Sequence, residues 1–447
     1  MKRRYLALLA AFTFAAALPM FAASSPKGRI LYTFKGGSDG SLPLAPLVAD
    51  AQGNLYGTTQ GGGGGSSCDG STEGCGTVFE LVAPSSPSGT WREKILHSFT
   101  GGGGDGFFPT GGLIFDAAGN LYGTTDGGGD VNSTLCGNPV GFGCGLVFEL
   151  SPPNNGESWN ETILHTFEGG TDGGWPESSL VFDGKGNLYG TTAIGDTGNG
   201  GTIFELSPAG NGVWTEAIIY SFMNVGDGYT PEGPLVFDNA GNLYGTTTVG
   251  PYGQGCLNNN GCGTVFQLVP PVGGGAWTGG TLFAFTGING ANPHGGVLID
   301  PSGNIFGTTT NGGLYGGYRE TNGGVAFELM PPQSGGPWTE IVLWNFMGGS
   351  DAHPIGLVED ASGNLYGTAE GSQQSDCGEI FKLSDASGGW SRTALHSFSI
   401  AKFNQGCFPP APLIYGKWQA LYGTTYEGGS AACGNGLGCG TVFGFLP

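Results

Sequence analysis

One repeated loop carries most of the side chains in this sequence that could recognise a ligand. Its copies read D-G-S-L-P from Asp39, D-G-F-F-P from Asp105, D-G-G-W-P from Asp172, D-G-Y-T-P from Asp227, N-G-A-N-P-H from Asn289, D-A-H-P from Asp351 and Q-G-C-F-P from Gln405. The Gly and Pro positions build the turn. The residues between and just after them differ from copy to copy, and they include Phe107, Phe108, Trp175, Glu177, Tyr229, Glu232, His294, His353 and Phe408.

These variable residues have the chemistry of a binding surface. Aromatic rings stack on the apolar faces of sugars, and carboxylates accept hydrogen bonds from hydroxyl groups. Variation on a constant loop frame is typical of recognition sites. The nine positions therefore predict a surface that binds a glycan or a protein partner. The alternative is that the aromatic side chains only fill the mouth of a channel.

Known catalytic motifs are missing from the sequence. It has no G-x-S-x-G nucleophile elbow between a strand and a helix, and no H-E-x-x-H or G-x-x-x-x-G-K segment. Three of the five His residues, His97, His165 and His396, occupy one position of a repeated segment, which predicts a structural role for them. We therefore predict no catalytic residue, no metal ligand and no cofactor.

A seven-fold repeat must position the loops. The motif G-N-L-Y-G-T-T or a close variant recurs with its aromatic residue at Tyr56, Tyr122, Tyr189, Tyr244, Phe306, Tyr366 and Tyr422. An L-V-F-D-like segment precedes each copy, and segments like G-T-V-F-E-L and W-x-E-x-I-L-H-S-F follow most of them. Each segment is short, rich in β-branched and aromatic residues, and bounded by turn residues, as strands are. Four strands in each of seven units predict an all-β, seven-bladed β-propeller, with a parallel β-helix as the alternative.

The ends of the repeat region indicate how the ring closes. The seventh unit stops after its third strand, near Leu446, whereas Ile30 to Phe34 matches a fourth strand and precedes the first unit. We therefore expect the N-terminal strand to complete blade seven, which removes the open sheet edges of an unclosed array.

These segments resemble a known family. G-N-L-Y-G-T-T, G-G…C-G-T-V-F-E-L and D-G-x-x-P are similar to the GloVer-type tandem repeat of secreted bacterial proteins, over residues 30–447. D-x-x-G-N-L-Y is also similar to units of two-component-regulator and lactonase-type propellers. The first resemblance implies an exported protein and assigns no reaction. The alternative function is a Ca²⁺-dependent lactonase- or lyase-like propeller enzyme, with Glu177, Glu232, Asp172 and Asp227 as candidate ligands.

The ten cysteines predict five disulfides. Four pairs bracket the same loop of different units: Cys68 with Cys75, Cys136 with Cys144, Cys256 with Cys262 and Cys433 with Cys439. Cys377 aligns with the second member of a pair but has no first member, and Cys407 lies in the entry loop of the next unit. Neighbouring loops in the ring predict a fifth disulfide between these two. Zinc is the competing interpretation, but no His lies near the pairs.

The N-terminus and the overall charge indicate the compartment and the classes of partner. Lys2, Arg3 and Arg4 precede an apolar run from Tyr5 to Phe21 and small residues, which predicts a signal peptide over residues 1–25 and a propeller domain over 29–447. The formal net charge of −21 disfavours nucleic acid and anionic membranes as partners. We expect a secreted or periplasmic monomer with no membrane span after signal removal.

Overall fold

The computed structural model describes most of the chain after the predicted signal peptide, which lies outside the described residues. It describes residues 27–447 except for 65–67, 69–73, 103, 132, 134, 137–140, 154–157, 196–199, 224–225, 251–255, 257–260, 317–322, 333–334, 373–375, 387–388, 430–432 and 434–435. No helix in the described part is long and apolar enough to cross a membrane.

Seven four-stranded antiparallel sheets form a closed ring, which confirms the predicted seven-bladed β-propeller. Blade 1 consists of β2 (Val48–Ala49), β3 (Leu55–Thr59), β4 (Thr77–Val82) and β5 (Arg92–Ser98). Blade 2 consists of β7 (Ile114–Phe115), β8 (Leu121–Thr125), β10 (Leu146–Ser151) and β11 (Asn160–Thr166). Blade 3 consists of β12 (Val181–Phe182), β13 (Leu188–Thr192), β14 (Thr202–Gly210) and β15 (Val213–Ser221). Blade 4 consists of β16 (Val236–Phe237), β17 (Leu243–Thr247), β18 (Thr264–Val269) and β19 (Thr278–Ala284).

The last three blades follow the same plan. Blade 5 consists of β20 (Val297–Ile299), β21 (Ile305–Thr309), β22 (Val325–Met330) and β23 (Thr339–Asn345). Blade 6 consists of β24 (Pro354–Glu359), β25 (Leu365–Ala369), β26 (Glu379–Ala386) and β27 (Gly389–Ser397). Blade 7 consists of β28 (Ile414–Tyr415), β29 (Leu421–Thr425), β30 (Thr441–Leu446) and β1 (Lys27–Thr33). Two further short strands, β6 (Gly106–Phe107) and β9 (Gly127–Gly128), pair in the loops of blade 2, and the described helices are α1 (Gly313–Gly316) and 3₁₀ turns at Gly37–Asp39, Gly170–Asp172, Gly349–Asp351, Ile400–Gln405 and Lys417–Gln419.

The N-terminal strand closes the ring as predicted. β1 pairs antiparallel with β30, with Lys27 opposite Leu446 and Thr33 opposite Thr441. Phe34 directly follows β1, is fully buried, and contacts Phe79 of blade 1 with the ring centroids 5.2 Å apart. The strand therefore both completes blade 7 and packs that blade against blade 1.

Removal of this strand tests closure. Deleting Gly28 to Lys35 exposes the edge of β30 and removes Phe34 from the junction with blade 1. We expect the melting temperature to fall by roughly 10 °C or more, because a junction rather than one contact is lost. Thermal unfolding followed by circular dichroism measures this, and an unchanged melting temperature would contradict ring closure by this strand.

The second strand of every blade is fully buried, and a steric rule explains its central glycine. In β3 the ring of Phe79 on the neighbouring strand lies over Gly57, so that a Cβ atom at residue 57 would approach the Phe79 Cζ atom to 2.8 Å. The other blades repeat this contact at Gly123, Gly190, Gly245, Gly307, Gly367 and Gly423. L-Y-G-T-T is therefore a packing motif in which glycine makes room for a phenylalanine.

The Asp and Asn residues of the repeat make a structural turn. In blade 1 the Asp50 carboxylate accepts hydrogen bonds from the backbone N–H and the side-chain amide of Asn54, both at 2.8 Å, and from the Tyr56 hydroxyl at 3.1 Å. The Asn backbone and amide contacts recur at Asp116, Asp183, Asp238, Asp300 and Asp360. The Asp carboxylates and Asn amides of this motif therefore form hydrogen bonds within the turn itself.

All five predicted disulfides are present. Four close a loop within one blade, and their partners are separated by 6 to 8 positions in sequence. Cys377 and Cys407 are 30 residues apart and join blade 6 to the entry loop of blade 7. Cys407 takes the loop position of Gly174 in blade 3, where an added Cβ would lie 2.5 Å from the Sγ atom of Cys136. This loop position faces the disulfide loop of the preceding blade, so a cysteine there can bond across the junction.

Double alanine variants compare the two kinds of disulfide. In the chain-entropy model, the Cys377–Cys407 loop contributes about 3.5 kcal/mol and the Cys256–Cys262 loop about 2 kcal/mol to the free energy of unfolding. We expect C377A/C407A to lower the unfolding free energy more than C256A/C262A does. Denaturant unfolding of the oxidised proteins measures both, and equal losses would argue against a cross-blade constraint.

Candidate functional site

A residue in left-handed backbone conformation precedes the proline of each entry loop. The seven residues have φ between 56° and 59°, and they are Leu42, Phe108, Trp175, Thr230, Asn292, His353 and Phe408. A non-glycine residue in this region costs of order 1–3 kcal/mol, so the surrounding structure must hold it there. Four of the predicted binding residues occupy this position.

Backbone hydrogen bonds on both sides hold these residues. The Trp175 N–H donates to the Cys144 carbonyl of blade 2 at 2.9 Å, and the Trp175 carbonyl accepts from the Ala193 N–H of its own blade at 3.0 Å. The equivalent pair of bonds occurs at the other six positions. Each entry loop is thereby joined to the preceding blade, and the side chain before the proline has a fixed place on one face of the ring, which we call the loop face.

Five titratable side chains from five blades interact on the loop face near the ring axis. Asp126 of blade 2 and Glu370 of blade 6 directly follow a second strand, whereas Glu177, Glu232 and His294 of blades 3 to 5 directly follow the prolines of the entry loops. The His294 Nε2 atom lies 3.2 Å from a Glu232 carboxylate oxygen. Glu177 interacts electrostatically with Asp126, Glu232 and His294, and Glu370 with His294. Side chains of so many blades can interact only around the common axis, and we call these five the axial cluster.

The pKa values of the axial cluster reflect burial and an excess of negative charge. Burial first, and then the charges of Asp126 and Glu232, raise the pKa of Glu177 to about 8. Burial raises the pKa of Asp126 to about 7, and it also raises the pKa of Glu370. For His294, burial lowers the pKa, but the bond to Glu232 and the nearby Glu370 and Glu177 outweigh it and raise the pKa. The His294 side chain is 53% exposed and that of Glu232 is 21% exposed, so solvent reaches the cluster on the His294 side.

The aromatic residues of the entry loops are half-buried and pack on one another. The Phe142 ring lies between Phe108 and Trp175, with centroid distances of 6.2 Å and 6.3 Å. Trp175 has an indole N–H that is buried without a hydrogen-bond partner among the described residues. Phe408 packs against the core beside Cys407. The aromatic side chains therefore cover part of the loop face, and part of their own surface remains in contact with solvent.

Two of the predicted binding residues, Phe107 and Tyr229, lie one position before the residue with positive φ. Phe107 does not line the loop face: only 1% of it is exposed, and it packs in the core with Cys68 and Cys75. The cause is local: Phe107 ends the short strand β6 and packs against the disulfide of the preceding blade, whereas the next residue, Phe108, has left-handed backbone conformation. Tyr229 occupies the position equivalent to Phe107. Tyr229 is half-buried there.

The remaining polar positions separate into different environments. The His353 Nδ1 atom lies 3.2 Å from the Gly371 carbonyl, and burial lowers the pKa of His353. Of the four candidate Ca²⁺ ligands, Glu177 and Glu232 belong to the axial cluster, whereas Asp172 lies beside His165 and Asp227 accepts a hydrogen bond from Tyr220 at 3.1 Å. Among the described residues, these four do not form one group with ligand atoms within 4.8 Å of one another. The structure thus separates the proposed calcium ligands.

Asp126 and Glu370 of the axial cluster were missed by the sequence analysis. They occupy the position directly after the G-T-T or G-T-A segment, where the other blades have Gln60, Ala193, Thr248, Thr310 and Tyr426. This position also varies on a constant frame. The same reasoning that selected the entry loops would have found it.

A groove of about 670 Å³ lies between blades 3 and 4 and is lined partly by Asp183, Asn187, Asp238 and Trp277. Its Asp and Asn side chains are already paired in the structural turns. The axial cluster, whose Asp126 has a buried carboxylate oxygen without a hydrogen-bond partner in the described part of the chain, is the better candidate site.

The raised pKa of Glu177 predicts a pH-dependent stability. A glutamate in an unfolded chain has a pKa near 4.3, whereas Glu177 in the fold has a pKa of about 8, so the folded protein holds the extra proton and loses stability as pH rises between these values. Glu177→Gln should leave the melting temperature unchanged at pH 4 and raise it by roughly 2–5 °C at pH 9. The control is Glu168→Gln at an exposed position. Equal shifts in the two variants would show that Glu177 is not buried among like charges.

Comparison with known proteins supports the repeat assignment and the fold. Residues 134–336 match the Gloeobacter/Verrucomicrobia repeat, which confirms the resemblance stated above. No curated protein matches the chain. Among solved structures, a fungal alcohol oxidase of the AA5 family in complex with copper is 14% identical, with a TM-score of 0.55 over 94% of this chain and 76% of that chain.

Two other solved structures are similar at lower scores. A Thermus thermophilus protein assigned as an oxidoreductase (glucose dehydrogenase) is 15% identical, with a TM-score of 0.42 over 76% of this chain and 96% of that chain. A Dyadobacter fermentans protein of unknown function is 13% identical, with a TM-score of 0.43 over 82% of this chain and 98% of that chain. At these identities the comparisons concern the fold and carry no activity to this chain.

Proposed function

Because the chain carries the Gloeobacter/Verrucomicrobia repeat on a closed propeller, we propose that it is an exported, monomeric binding protein whose loop face takes a glycan at the ring axis. The observation that carries this proposal is the axial cluster. The carboxylates of Glu177, Glu232 and Glu370 interact there with the His294 imidazole, and Asp126 interacts with Glu177. The half-buried Trp175 lies two residues before Glu177 in the same entry loop.

The chemistry of the axial cluster suits hydroxyl and ammonium donors. Asp126 has a buried carboxylate oxygen that no described residue contacts through a hydrogen bond, and such an atom is stabilised when a ligand donates to it. An ionised carboxylate accepts hydrogen bonds and donates none, and a sugar hydroxyl can supply the donor. The excess of negative charge disfavours uronic and sialic acids. Neutral glycans and amino sugars are therefore the favoured ligands.

The five disulfides support export. Disulfides persist in oxidising compartments, and they are present at five places in this chain. Such a compartment is where extracellular or cell-wall glycans are met. The predicted signal peptide agrees with this location.

The separation of the four candidate calcium ligands favours binding over the enzyme alternative. A Ca²⁺ site needs several oxygens at 2.3–2.6 Å from one point. Since Asp172 and Asp227 make other contacts, they are not available beside Glu177. We therefore expect the same glycan affinity with and without added Ca²⁺.

A glycan array on the protein without residues 1–25 tests the proposal. We expect binding of neutral or amino-sugar glycans and rejection of acidic ones. Trp175→Ala and Glu232→Gln should each lower the affinity for the selected glycan at least 10-fold in a titration.

Glu340→Gln is the matched control, because burial also raises the pKa of this carboxyl, to about 7, but the residue lies on an outer strand. Array-wide absence of binding, or equal affinity in all three variants, would refute the axial glycan site.

A further inference from the structure

The outer strands meet the entry loops at every blade junction through the same three sequence positions. One is the sixth residue after the repeated Trp, on the fourth strand of a blade. The second position is the first residue of the entry loop that follows this strand. The third position is the second residue after the repeated Trp of the next blade. At the junction of blades 1 and 2 these are His97, Asp105 and Glu161, and at the junction of blades 2 and 3 they are His165, Asp172 and Glu216. We call these two groups triad A and triad B.

At other junctions a donor of the protein faces each acidic side chain, although Glu93, Asp227, Glu340 and Asp351 each keep one buried oxygen without a hydrogen-bond partner among the described residues. The single hydroxyl proton of Tyr32 is shared between Asp39 and Glu93, with the Glu93 oxygen at 3.1 Å, and Tyr220 donates to Asp227. The Asn289 amide donates to Glu340 at 2.7 Å. At the junction of blades 5 and 6, Arg392 pairs with Asp351 and Glu379. The general rule is that a proton donor faces each carboxylate.

Triads A and B do not follow this rule. In triad A the His97 Nε2 atom is 3.9 Å from Asp105 and 3.6 Å from Glu161. In triad B the His165 Nε2 atom is 3.3 Å from Asp172 and 3.9 Å from Glu216. Both Nε2 atoms and the facing Glu oxygens are shielded from solvent without any hydrogen-bond partner among the described residues. Buried polar atoms in this state are costly, and here they point at one another around a shared centre.

The spacing in both triads matches metal coordination. The three ligand atoms in each triad lie within 4.8 Å of one another. A tetrahedral ion with ligands at about 2.0–2.1 Å places neighbouring ligand atoms about 3.4 Å apart, close to the observed imidazole–carboxylate distances. One neutral imidazole and two carboxylates also balance the charge of a divalent ion.

The aspartate of each triad is already oriented by the backbone. One Asp105 oxygen accepts from the Thr100 N–H at 2.7 Å, and one Asp172 oxygen accepts from the Glu168 N–H at 2.6 Å. In both cases the other oxygen is the one nearest the imidazole. Partners of this kind fix a ligand in place before the metal arrives. The side chains are 14–21% exposed, so an ion can enter and a water molecule can be the fourth ligand.

We propose that triads A and B each bind one divalent transition-metal ion, with Zn²⁺ as the best match, and that the two ions join blade 1 to blade 2 and blade 2 to blade 3. Imidazole with carboxylates selects Zn²⁺ over Ca²⁺, which prefers oxygen ligands alone. Each ion connects the outer strands of two blades and an entry loop. This role is independent of the axial site.

The metal sites can be tested with substitutions to residues that already occupy the same position at other junctions of this ring. His97→Tyr and His165→Tyr introduce the residue found at the same position in Tyr32 and Tyr220. His396→Tyr is the matched control, because its junction partners are Gln405 and Gly28, which supply no carboxylate.

Calorimetric titration of chelator-treated protein with Zn²⁺ should find two sites in the wild type and in His396→Tyr, one in each single variant and none in the double variant. Zn²⁺ should raise the melting temperature of the wild type by several degrees, Ca²⁺ should not, and Co²⁺ should give the intense visible bands of tetrahedral coordination. If the wild type binds no Zn²⁺, or if the double variant keeps both sites, the proposal is wrong.

Discussion

A contact between two phenylalanines at each blade junction, edge-to-face at six junctions and tilted at the seventh, holds the ring together. The Phe that follows the fourth strand of one blade packs on the third-strand Phe of the next, and the seven centroid distances range from 4.9 to 5.4 Å. Such pairs contribute about 0.5–1.5 kcal/mol beyond the apolar area that they bury. In a closed ring every blade makes the contact twice, so each sheet is held from both sides.

This contact determines most of the repeat. The third-strand Phe can lie flat only because glycine occupies the middle of the second strand. Repeated Trp side chains seal the outer part of several junctions, as where Trp277 meets Tyr189 with the centroids 5.8 Å apart. With the blade frame fixed by these contacts, the entry loops can change their side chains without loss of the ring. The seven residues with positive φ belong to that frame, since their backbone bonds to two blades do not depend on the side chain.

The fold could be predicted from the sequence because each blade repeats its own local signals. The turn of Asp50 and Asn54, the paired cysteines and the missing fourth strand of blade 7 are all visible in the order of residues. The direction of a side chain in a loop is not visible in this way. Phe107 and Phe108 are neighbours, but one is in the core and the other is on the loop face, and only the hydrogen bonds of the entry loop decide which is which.

Contacts between blades were harder still to predict. Glu177 meets Asp126, which lies on a different blade and in a different kind of loop, so no local pattern connects them. The same is true of His97 and Glu161, which are far apart in sequence and belong to different repeats. The registration of one blade against the next is needed to find such pairs. This registration is set by the phenylalanine contacts and not by the polar residues themselves.

The junctions show how one frame supports different chemistry at equivalent places. The position of His97 is Tyr32 at the junction of blades 7 and 1, and there the single hydroxyl proton is shared between Asp39 and Glu93. At the junction of blades 1 and 2 an imidazole stands in place of that hydroxyl. The His97 Nε2 atom lies 3.9 Å from Asp105 and 3.6 Å from Glu161, which is too far for hydrogen bonds. The Phe ring two residues further on keeps its packing in both cases. A single residue thus changes the donor that the two carboxylates of a junction face, while the phenylalanine packing of the core stays the same.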